Sequence, residues 1–339
     1  TPHLNLNNTG PGENEFETTR IIAQRQVDKA MEIYDSATEM LAGKIDYRQV
    51  FVDFVYRPVD KKFSGEEGSR TCPSAYGYAF AAGSTEDGGG HPMFREGMLT
   101  RVKLIDGLVK QQFKVEPPSE ECRECHGKKV ILITTGETKP EPAYSQIQPM
   151  TLVRVGQLAI IAVPSEVTTM AGRRLRNTVA EILGDSVKHV VIAGYSNSYA
   201  GYVTTKEEYD TQNYEGGHTL YGPWTLAAYQ QEFARMAEAM RDGKPVGQGP
   251  MPTDLRGKAT GQALASDEAV KGAPGTVTVQ PNESYDRGSV VEVSFQSANP
   301  RNHYPQLESY LRVEREIDGD WTSVATDDDW ATKCRWTTD

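Results

Sequence analysis

The 339-residue sequence predicts a mixed α/β (α+β) domain followed by an all-β domain. Residues 1–245 alternate between short apolar runs and longer segments with helical periodicity. A stretch rich in Gly, Pro and Ala follows over 246–275 and is typical of a linker. From 276 to 339, apolar residues recur at every second position, which is the period of a β-strand. We therefore expect two domains joined by a linker, which the chain length allows.

Periodicity predicts three long helices in the first domain. Over 15–41, apolar residues recur at spacings of three and four, as one face of a helix requires. They are Ala23, Val27, Ala30, Tyr34, Ala37 and Leu41. Two further helices are predicted over 167–183 and 224–241.

Apolar, β-branched runs predict the strands. They lie at 50–56, 129–135, 150–155, 158–163 and 187–193. The third and fourth flank Gly156-Gln157, which predicts a β-hairpin. In the second domain, the segment of about 65 residues is shorter than the roughly 100 residues of an immunoglobulin-like sandwich. We therefore expect that domain to be incomplete.

Composition and charge narrow the class of protein. Hydrophobic residues make up 37% and charged residues 24% of the chain, values typical of a globular protein. The net charge of -11 argues against nucleic-acid binding, which requires a basic surface. No apolar run approaches the ~20 residues that span a bilayer. The chain starts without Met on a loop-like stretch, which we interpret as internal to a longer protein.

A Gly-rich stretch over 79–90 predicts irregular backbone. Its glycines follow Ala79-Phe80-Ala81-Ala82 and surround the polar run at 84–87. The stretch lacks the Gly-Lys-Ser/Thr ending of a phosphate-binding loop. We therefore do not interpret it as a nucleotide site.

The four cysteines bear on both metal binding and disulfide formation. Cys122 and Cys125 form a single C-x-x-C, and only His126 lies near it in the sequence. A structural zinc site needs a second pair of ligands at tight spacing, so the zinc interpretation is disfavoured. One disulfide from Cys72 to either member of the pair is favoured instead, as in a secreted protein.

Glu166 is a candidate site residue because it lies where a predicted strand turns into a helix. Pro164-Ser165 makes this turn. The carboxyl ends of strands in α/β proteins commonly face the active site. The alternative is a Glu in the first helical turn that complements the helix dipole, and spacing alone favours this alternative.

Tyrosines and histidines are the other candidates in the first domain. Six tyrosines follow the strand at 187–193, namely Tyr195, Tyr199, Tyr202, Tyr209, Tyr214 and Tyr221. Phenols can ligate a metal ion or donate to an oxyanion, but composition favours a core role. The histidines share no H-E-x-x-H or H-x-H spacing, so each is expected to be a surface or hydrogen-bonded structural residue. They are His3, His91, His126, His189, His218 and His303.

Oxygen-bearing side chains also cluster near the end of the chain. Asp327, Asp328 and Asp329, with Thr332, have the ligand type that Ca²⁺ and Mg²⁺ prefer. The cluster lacks the length of an EF-hand loop. A solvated acidic turn is the alternative that residue type alone favours.

Four segments taken together resemble the neutral ceramidase family. They are Ala81–Gly88, Glu166–Gly172, Tyr202–Tyr209 and Tyr214–Trp224. They occur in the order that the family has, and the resemblance runs from residue 1 to the end of the chain, weakest over 243–275. The family hydrolyses the amide of ceramide to sphingosine and a fatty acid. The resemblance therefore implies a zinc-dependent amidase with ceramide as substrate.

The resemblance also implies site residues. The family holds zinc with two His, one Glu and one Tyr. Glu166 matches the Glu ligand, Tyr202 matches the Tyr ligand, and Tyr214 matches a second tyrosine near the reacting amide. Both His ligands belong to the N-terminal part of the family, which we expect to lie upstream of this chain. The resemblance thus assigns no histidine of this chain to zinc.

Thr1 is the second catalytic residue, beside Tyr214, that the resemblance implies. Thr1-Pro2-His3 resembles the end of the family's G-D-x-S-P-N motif, whose Ser has been considered catalytic. Thr1 stands at the Ser position and His3 at the Asn position, and both are departures from the motif. A Thr hydroxyl can do similar chemistry, but its extra methyl group restricts approach.

Further implications concern the second domain and the cell compartment. The C-terminal region of the family is an immunoglobulin-like β domain. Asp327, Asp329 and Thr332 resemble a site for a divalent cation, Ca or Mg. The resemblance also implies a disulfide between Cys72 and Cys125, and a secreted or extracellular enzyme that acts at a membrane surface.

Two alternatives to ceramide hydrolysis stay open. The first is an amidase on another N-acyl lipid, because acyl-chain pockets are generic apolar clefts. The second is a non-catalytic ceramide-binding homologue, which Thr1 at the Ser position keeps open.

Overall fold

A computed structural model describes residues 10–84, 90–113, 116–139, 142, 145–254, 272–297, 309–329 and 331–337. The chain forms two compact units. One unit is Ala37–Asp254, and the other combines Thr1–Ser36 with Leu255–Asp339. Glu166 and the tyrosine-rich stretch belong to the first of these units.

Both helices and strands occur along the described chain. The helices are α1 (Glu15–Ser36), α2 (Lys61–Ser64), α3 (Tyr78–Ala82), α4 (Lys103–Phe113), α5 (Glu120–His126), α6 (Thr169–Leu183), α7 (Lys206–Thr211), α8 (Tyr214–Gly217) and α9 (Thr225–Arg241). A 3₁₀ turn, Gly184–Ser186, follows α6. The strands are β1 (Ile45–Asp53), β2 (Ala75–Gly77), β3 (Ile131–Thr134), β4 (Ile147–Val155), β5 (Leu158–Ala162), β6 (Glu166–Val167), β7 (His189–Ala193), β8 (Tyr202–Val203), β9 (Val277–Val279), β10 (Ser294–Phe295), β11 (Arg312–Ile317) and β12 (Asp320–Thr326).

A four-stranded mixed sheet, in the order β1-β4-β5-β7, forms the centre of the Ala37–Asp254 unit. β1, β4 and β5 are antiparallel neighbours, and β7 runs parallel to β5. Val155 pairs with Leu158 across Gly156-Gln157, so the predicted hairpin is confirmed. Gly156 has a φ of 59°, and a Cβ there would lie 2.5 Å from the carbonyl oxygen of Ala42. Glycine is therefore required at this turn.

Helices α6 and α9 pack against each other and enclose the hydrophobic core with this sheet. The buried residues of the sheet are Val50, Val52, Met150, Leu152, Ala159 and Ile161. The main buried residues of the helices are Leu175, Val179, Tyr229, Phe233 and Met236. Burial of each large apolar side chain contributes on the order of 1.5–3 kcal/mol, so this layer carries most of the stability of the unit.

The predicted helices over 167–183 and 224–241 are confirmed as α6 and α9. The predicted ends of two elements, β1 and α1, differ from those in the structure. β1 begins five residues before the prediction, because Ile45–Gln49 pair with β4 although their side chains are largely exposed. α1 ends at Ser36 instead of residue 41, and its apolar residues Val27 and Tyr34 are exposed.

The prediction of irregular backbone from residue 79 is wrong for residues 79–82. They belong to helix α3, in which Tyr78, Ala79 and Ala82 are buried. The helix ends at Gly83, whose positive φ of 68° suits a glycine. Apolar contacts thus override the composition of the segment, and residues 85–89 lie outside the described part.

The disulfide that the resemblance implies is present between Cys72 and Cys125, with a Cα–Cα distance of 5.7 Å. Cys122 has a free, buried thiol, and Cys334 has a free, exposed one. The bridge ties α5 to the segment before β2, so it supports the region from which Tyr76 and Phe80 project.

The described residues of the second unit form helix α1 and two antiparallel strand pairs, β9 with β10 and β11 with β12. The period-two pattern from residue 276 thus predicts strands correctly. An immunoglobulin-like sandwich stays a prediction, as do the domain limits at 245 and 276. Among the described helices, none has the length and apolar character needed to cross a membrane.

Candidate active site

Glu166 lies in a two-residue strand beyond the carboxyl end of β5. Its backbone N–H donates to the carbonyl oxygen of Gly201 at 2.9 Å. α6 begins three residues later, and the Thr168 side chain caps it by accepting from the N–H of Ala171. The first turn of α6 contains no acidic residue, so the interpretation of Glu166 as a first-turn Glu is wrong.

Glu166 and Tyr202 come from two adjacent strands, and His218 comes from the turn that ends α8. β6 and β8 are parallel, and Glu166 is the direct register partner of Tyr202. On the other side, Gly201 forms an antiparallel bridge with Thr219, and Tyr202 N–H donates to the His218 carbonyl at 3.1 Å. Side chains that are directly opposite across neighbouring strands point to the same face. Glu166 and Tyr202 therefore share one face, and the ring of His218 lies beside Tyr202 with a centroid distance of 5.6 Å. We call these three side chains the site row.

Tyr214 joins the site row through a helical turn. It is the first residue of α8, and its carbonyl accepts from the N–H of His218 at 3.0 Å. Its ring centroid lies 5.8 Å from that of Tyr202 and 6.2 Å from that of His218. Its own N–H donates to the Glu96 carboxylate at 3.0 Å. The structure thus brings together Glu166, Tyr202 and Tyr214, the described residues that the resemblance assigns to the active site.

Tyrosine hydroxyl groups set the charge state of Glu166. Tyr199 donates to Glu166 Oε1 at 2.6 Å. Burial alone would raise the pKa of Glu166, but hydrogen bonds from Tyr199, Tyr202 and Tyr195 outweigh burial and lower it. Glu166 is therefore an anion at neutral pH.

The pKa of Tyr202 shifts in the opposite direction to that of Glu166. Burial, together with the hydrogen bond to Glu166, raises the pKa of Tyr202 well above its ordinary value. The phenol is therefore neutral unless a cation lies close to it. A bound metal ion would supply that charge and favour the phenolate.

His218 is the buried residue of the site row, with 5% of its surface exposed. Neither ring nitrogen has a hydrogen-bond partner. Each unpaired buried polar atom costs on the order of 1–3 kcal/mol. Burial, with the positive charge of Lys129, lowers the pKa of His218 to about 4, so the imidazole is neutral at pH 7.

The two buried histidines among the described residues differ, and only one matches the prediction. Both ring nitrogens of His126 are hydrogen-bonded, Nε2 to the carbonyl of Pro73 at 2.8 Å and Nδ1 to the hydroxyl of Tyr209 at 3.2 Å. His126 is thus a hydrogen-bonded structural residue, as predicted, whereas His218 is not. His189 is exposed and pairs with Glu39.

The prediction of a core role holds for part of the tyrosine-rich stretch. Tyr209 and Tyr221 are fully buried, whereas Tyr195 is 64% exposed. Tyr199, Tyr202 and Tyr214 are half-buried. Strand β7 is followed by positive φ angles at two residues other than glycine, 53° at Tyr195 and 66° at Asn197. Such backbone strain is found most often at functional sites.

Lys129 is a second residue that sequence reasoning did not single out. It is buried, and its ammonium group donates to the carbonyl oxygens of Ala75 at 3.1 Å and Thr219 at 2.6 Å. Burial lowers the pKa of Lys129 to about 7. Its bond to Thr219 fixes the backbone beside His218, so its role is to position the site row.

The donor groups of the site row fit a zinc-type metal ion. Glu166 supplies an ionised carboxylate, Tyr202 a phenol that a cation would ionise, and His218 unpaired nitrogens. Within the described part of the chain, no group of three or more His, Cys, Asp and Glu side chains is arranged to hold a metal ion. A complete set of ligands would therefore need the tyrosine or residues from outside this chain.

The remaining predicted site residues lie elsewhere. Thr1 is outside the described residues. In the second unit, Asp327 accepts from Leu311 N–H at 3.0 Å, and Asp329 accepts from Thr326 N–H at 2.8 Å. The N–H of Thr332 donates to the Asp329 carbonyl at 2.9 Å. These bonds order the turn after β12, and a Ca or Mg site there stays a prediction.

The fold and the site row first define a class. The protein is a mixed α/β protein in which carboxylate, phenol and imidazole groups meet beyond the carboxyl end of a sheet strand, as in a hydrolytic or metal-binding site. Family comparison then narrows the class. The model for the N-terminal region of neutral/alkaline non-lysosomal ceramidase matches residues 3–231, and the C-terminal model matches residues 233–339. The chain belongs to the neutral/alkaline non-lysosomal ceramidase family.

Individual relatives agree with this assignment. A neutral ceramidase of Pseudomonas aeruginosa is 41% identical across 99% of this chain, which covers 51% of that protein. One of Oryza sativa subsp. japonica is 43% identical across 96% of this chain, which covers 43% of it. The chain therefore spans about half the length of the curated relatives that it matches.

Solved structures give the same result at the level of the fold. A crystal structure of neutral ceramidase from Pseudomonas aeruginosa matches 95% of this chain with a TM-score of 0.73 at 36% identity, and 49% of that chain is covered. A ceramidase complexed with C2 matches 97% of this chain with a TM-score of 0.77 at 40% identity, with 52% of that chain covered.

Proposed function

We propose that the protein is a zinc-dependent amidase that hydrolyses the N-acyl amide bond of ceramide to sphingosine and a fatty acid. One observation carries the proposal beyond family membership. Glu166 and Tyr202, which the resemblance assigns to zinc, lie far apart in the sequence yet are direct register partners. Tyr214, assigned to the reacting amide, stands next to them with its ring 5.8 Å from that of Tyr202.

Glu166 and Tyr202 would hold the zinc ion, together with the two histidines that the family carries upstream. Zinc supplies Lewis-acid chemistry when bound, because it lowers the pKa of water to about 7 and polarises an amide carbonyl. Tyr199 keeps Glu166 oriented and anionic through its short hydrogen bond. This arrangement keeps a negative charge ready for the cation.

Tyr214 and the neighbouring rings act on the substrate. The Tyr214 phenol donates a hydrogen bond to the oxyanion that develops on the amide oxygen. Its ring stacks on Phe80 with a centroid distance of 5.7 Å, which fixes its direction. Phe80 and Tyr76 form an apolar wall around His218, and this wall excludes water from one side of the site.

The remaining parts of the proposal concern substrate encounter and accessory sites. Ceramide is a membrane lipid, so the enzyme is proposed to be secreted or extracellular and to meet a membrane surface transiently. Thr1 would act as the catalytic hydroxyl near the amide. Asp327, Asp329 and Thr332 would bind Ca or Mg.

The test is Glu166→Gln in the full-length protein that carries this sequence. We expect loss of bound zinc and a decrease of at least about 100-fold in ceramide turnover. Mutation of a residue that only hydrogen-bonds to a metal ligand already lowers metal affinity or activity about 10–100-fold. Zinc content by mass spectrometry and sphingosine release measure the two effects. Glu207→Gln is the matched control, since Glu207 is exposed and pairs with Arg174. Full zinc and full turnover in Glu166→Gln would contradict the proposal.

Substrate assays distinguish ceramide hydrolysis from two other functions. A panel of N-acyl lipids with different head groups and acyl chains distinguishes a ceramidase from an amidase on another N-acyl lipid. A non-catalytic ceramide-binding homologue would bind ceramide without releasing a fatty acid. Detection of sphingosine excludes that second alternative.

A further inference from the structure

Helix α8 carries Tyr214 as its first residue, yet it contains only four residues. A helix this short is not stable by itself, because the cost of forming the first turn is repaid only by later turns. Within the described chain, Asn213 precedes the helix but makes no side-chain capping hydrogen bond, although Asn is a common N-cap residue. The position of α8, and with it the direction of Tyr214, therefore depends on groups from other segments.

Glu96 supplies the missing cap from a distant part of the chain. Its carboxylate accepts from the backbone N–H of Tyr214 at 3.0 Å, although the two residues are 118 positions apart. This N–H is one of the first four of the helix, which have no carbonyl partner inside it. A hydrogen bond from a backbone N–H to a carboxylate is about twice as strong as one between neutral groups. Glu96 thus holds the residue of α8 on which the proposed chemistry depends.

The segment around Glu96 is itself anchored next to α8. Gly97 N–H donates to the carbonyl oxygen of Gln212 at 2.7 Å, and Gln212 is a buried residue between α7 and α8. Two residues before Glu96, the ring of Phe94 contacts the ring of Tyr78 edge to face, with centroids 5.4 Å apart. These contacts on both sides of Glu96 keep its carboxylate beside the start of α8.

Lys129 holds the chain just beyond the other end of α8. The residue is buried, and its ammonium group donates to the carbonyl oxygen of Thr219 at 2.6 Å. The Thr219 hydroxyl in turn donates to the carbonyl oxygen of Glu215, inside α8, at 2.8 Å. A second bond from Lys129, to the carbonyl oxygen of Ala75 at 3.1 Å, ties the same ammonium group to strand β2. An acidic side chain at the start and a basic one at the end therefore fix the helix from outside.

We propose that Glu96 and Lys129 are positioning residues that hold α8 from its two ends and aim the Tyr214 phenol at the amide of the substrate. The inference rests on the proposed role of Tyr214 in the reaction, and it adds two residues that the resemblance does not assign. A donor to a developing oxyanion must lie about 3 Å from it, and misplacement by about 1 Å can lower the rate about 100-fold. Both residues act through the backbone of α8 and not on the substrate itself.

The experiment compares ceramide turnover by the full-length wild-type protein, Glu96→Ala, Glu96→Gln and Glu181→Ala. Because Glu96→Ala removes the acceptor for the Tyr214 N–H, we expect kcat to fall about tenfold or more, with KM and bound zinc unchanged. Glu96→Gln keeps an oxygen acceptor and should restore most of kcat. Glu181 is an exposed glutamate of the same unit, so Glu181→Ala should match the wild type. A wild-type kcat in Glu96→Ala, or a loss of zinc together with kcat, would contradict the inference.

A double variant separates this inference from the proposed function. Tyr214→Phe removes the hydroxyl that Glu96 is proposed to position, so adding Glu96→Ala to it should lower kcat little further. If Tyr214→Phe lowers kcat but Glu96→Ala has the same effect with and without the hydroxyl, the inference is wrong and the role of Tyr214 stands. If Tyr214→Phe keeps the wild-type kcat, both are wrong, whereas loss of zinc in Glu166→Gln would still support the zinc site.

Lys129 needs a measurement that does not depend on turnover, because Lys129→Met leaves two buried carbonyl oxygens unpaired and destabilises the fold. Incorporation of 3-fluorotyrosine at position 214 lets ¹⁹F NMR report the ring directly in metal-free protein. We expect Glu96→Ala, and Lys129→Met at a temperature where circular dichroism shows it folded, to shift or broaden this resonance. Glu181→Ala should leave it unchanged. An unchanged resonance in either folded variant would overturn the inference, and if Lys129→Met does not fold, Glu96→Ala decides by the same measurement.

Discussion

The central sheet and the site row belong to the same unit but are held together differently. β4 and β5 pair over five residues and are covered by α6 and α9. β6 and β8 pair over only two residues each, in which Glu166 and Tyr202 alternate with Val167 and Val203, and the two valines pack in or against the hydrophobic core. The sheet is stabilised by burial of apolar surface over longer strands, whereas the strands of the site row are anchored by two valines and a few backbone hydrogen bonds. The central sheet with α6 and α9, which we call the scaffold, therefore carries most of the stability. The site row can then contain polar groups that bind a ligand.

The largest expected effect concerns the hydrophobic core of the scaffold. Phe233 is fully buried and stacks on Tyr229, so Phe233→Ala should lower the free energy of unfolding by about 4 kcal/mol. Tyr202→Phe keeps the ring but removes a hydroxyl that donates to the ionised Glu166, so it should cost only about 1.5 kcal/mol in metal-free protein. Urea unfolding of both variants measures the difference. Equal destabilisation would contradict the division between scaffold and site row.

An intermediate effect comes from pH and concerns His126. Burial lowers the pKa of His126 to about 3, against about 6.5 in the unfolded chain. Below pH 6.5 the unfolded chain takes up a proton that the folded protein does not, so stability falls as the pH drops from 6.5 toward 3. Between pH 6.5 and 4 the loss is on the order of 3 kcal/mol, and His218, with its pKa lowered to about 4, adds to it in metal-free protein.

Unfolding free energies measured between pH 7 and pH 4 test this expectation. His126→Asn should have a flatter pH dependence than the wild type, although it is less stable at pH 7. Exposed His189→Ala should keep the wild-type slope. An unchanged slope in His126→Asn would show that other groups cause the acid instability.

The smallest expected effect concerns the capping of α7, which follows β8. Thr205 accepts from Glu208 N–H at 3.2 Å, and Glu208 accepts from Thr205 N–H at 2.8 Å, forming a capping box. Thr205→Ala should cost about 1 kcal/mol by thermal or urea unfolding. Thr211→Ala, at the other end of the helix, should cost less than about 0.5 kcal/mol. An equal cost for the two would show that the capping box adds no stability.

The sequence allowed the scaffold to be predicted better than the site row. α6, α9 and the β4–β5 hairpin have long periodic patterns, and the structure confirms them. β6 and β8 contain two residues each, so no periodicity could reveal that Glu166 pairs with Tyr202. Its strand-end position made Glu166 a candidate and Tyr202 lay in the tyrosine-rich stretch, but only the resemblance assigned the two residues to one site.

His218 was missed for a different reason. Its importance lies in the absence of hydrogen bonds, and a sequence does not show which partners a side chain lacks. One available indication was its spacing of four residues from Tyr214, which places both on one side of a helical turn. Helix α3 was missed because the glycines after residue 82 concealed the apolar run before them.

The disulfide beside the buried thiol of Cys122 has a consequence for the durability of the fold. Cys122 precedes the bridging Cys125 by one helical turn in α5, where thiol–disulfide exchange would be a hazard. Burial, with the charge of Glu137, raises the pKa of Cys122 to about 12. The thiolate is the attacking species, and at pH 7 only on the order of one molecule in 10⁵ carries it. Attack by Cys122 on the bridge from Cys72 to Cys125 is therefore slow, and the disulfide is kinetically protected from exchange with this neighbouring thiol.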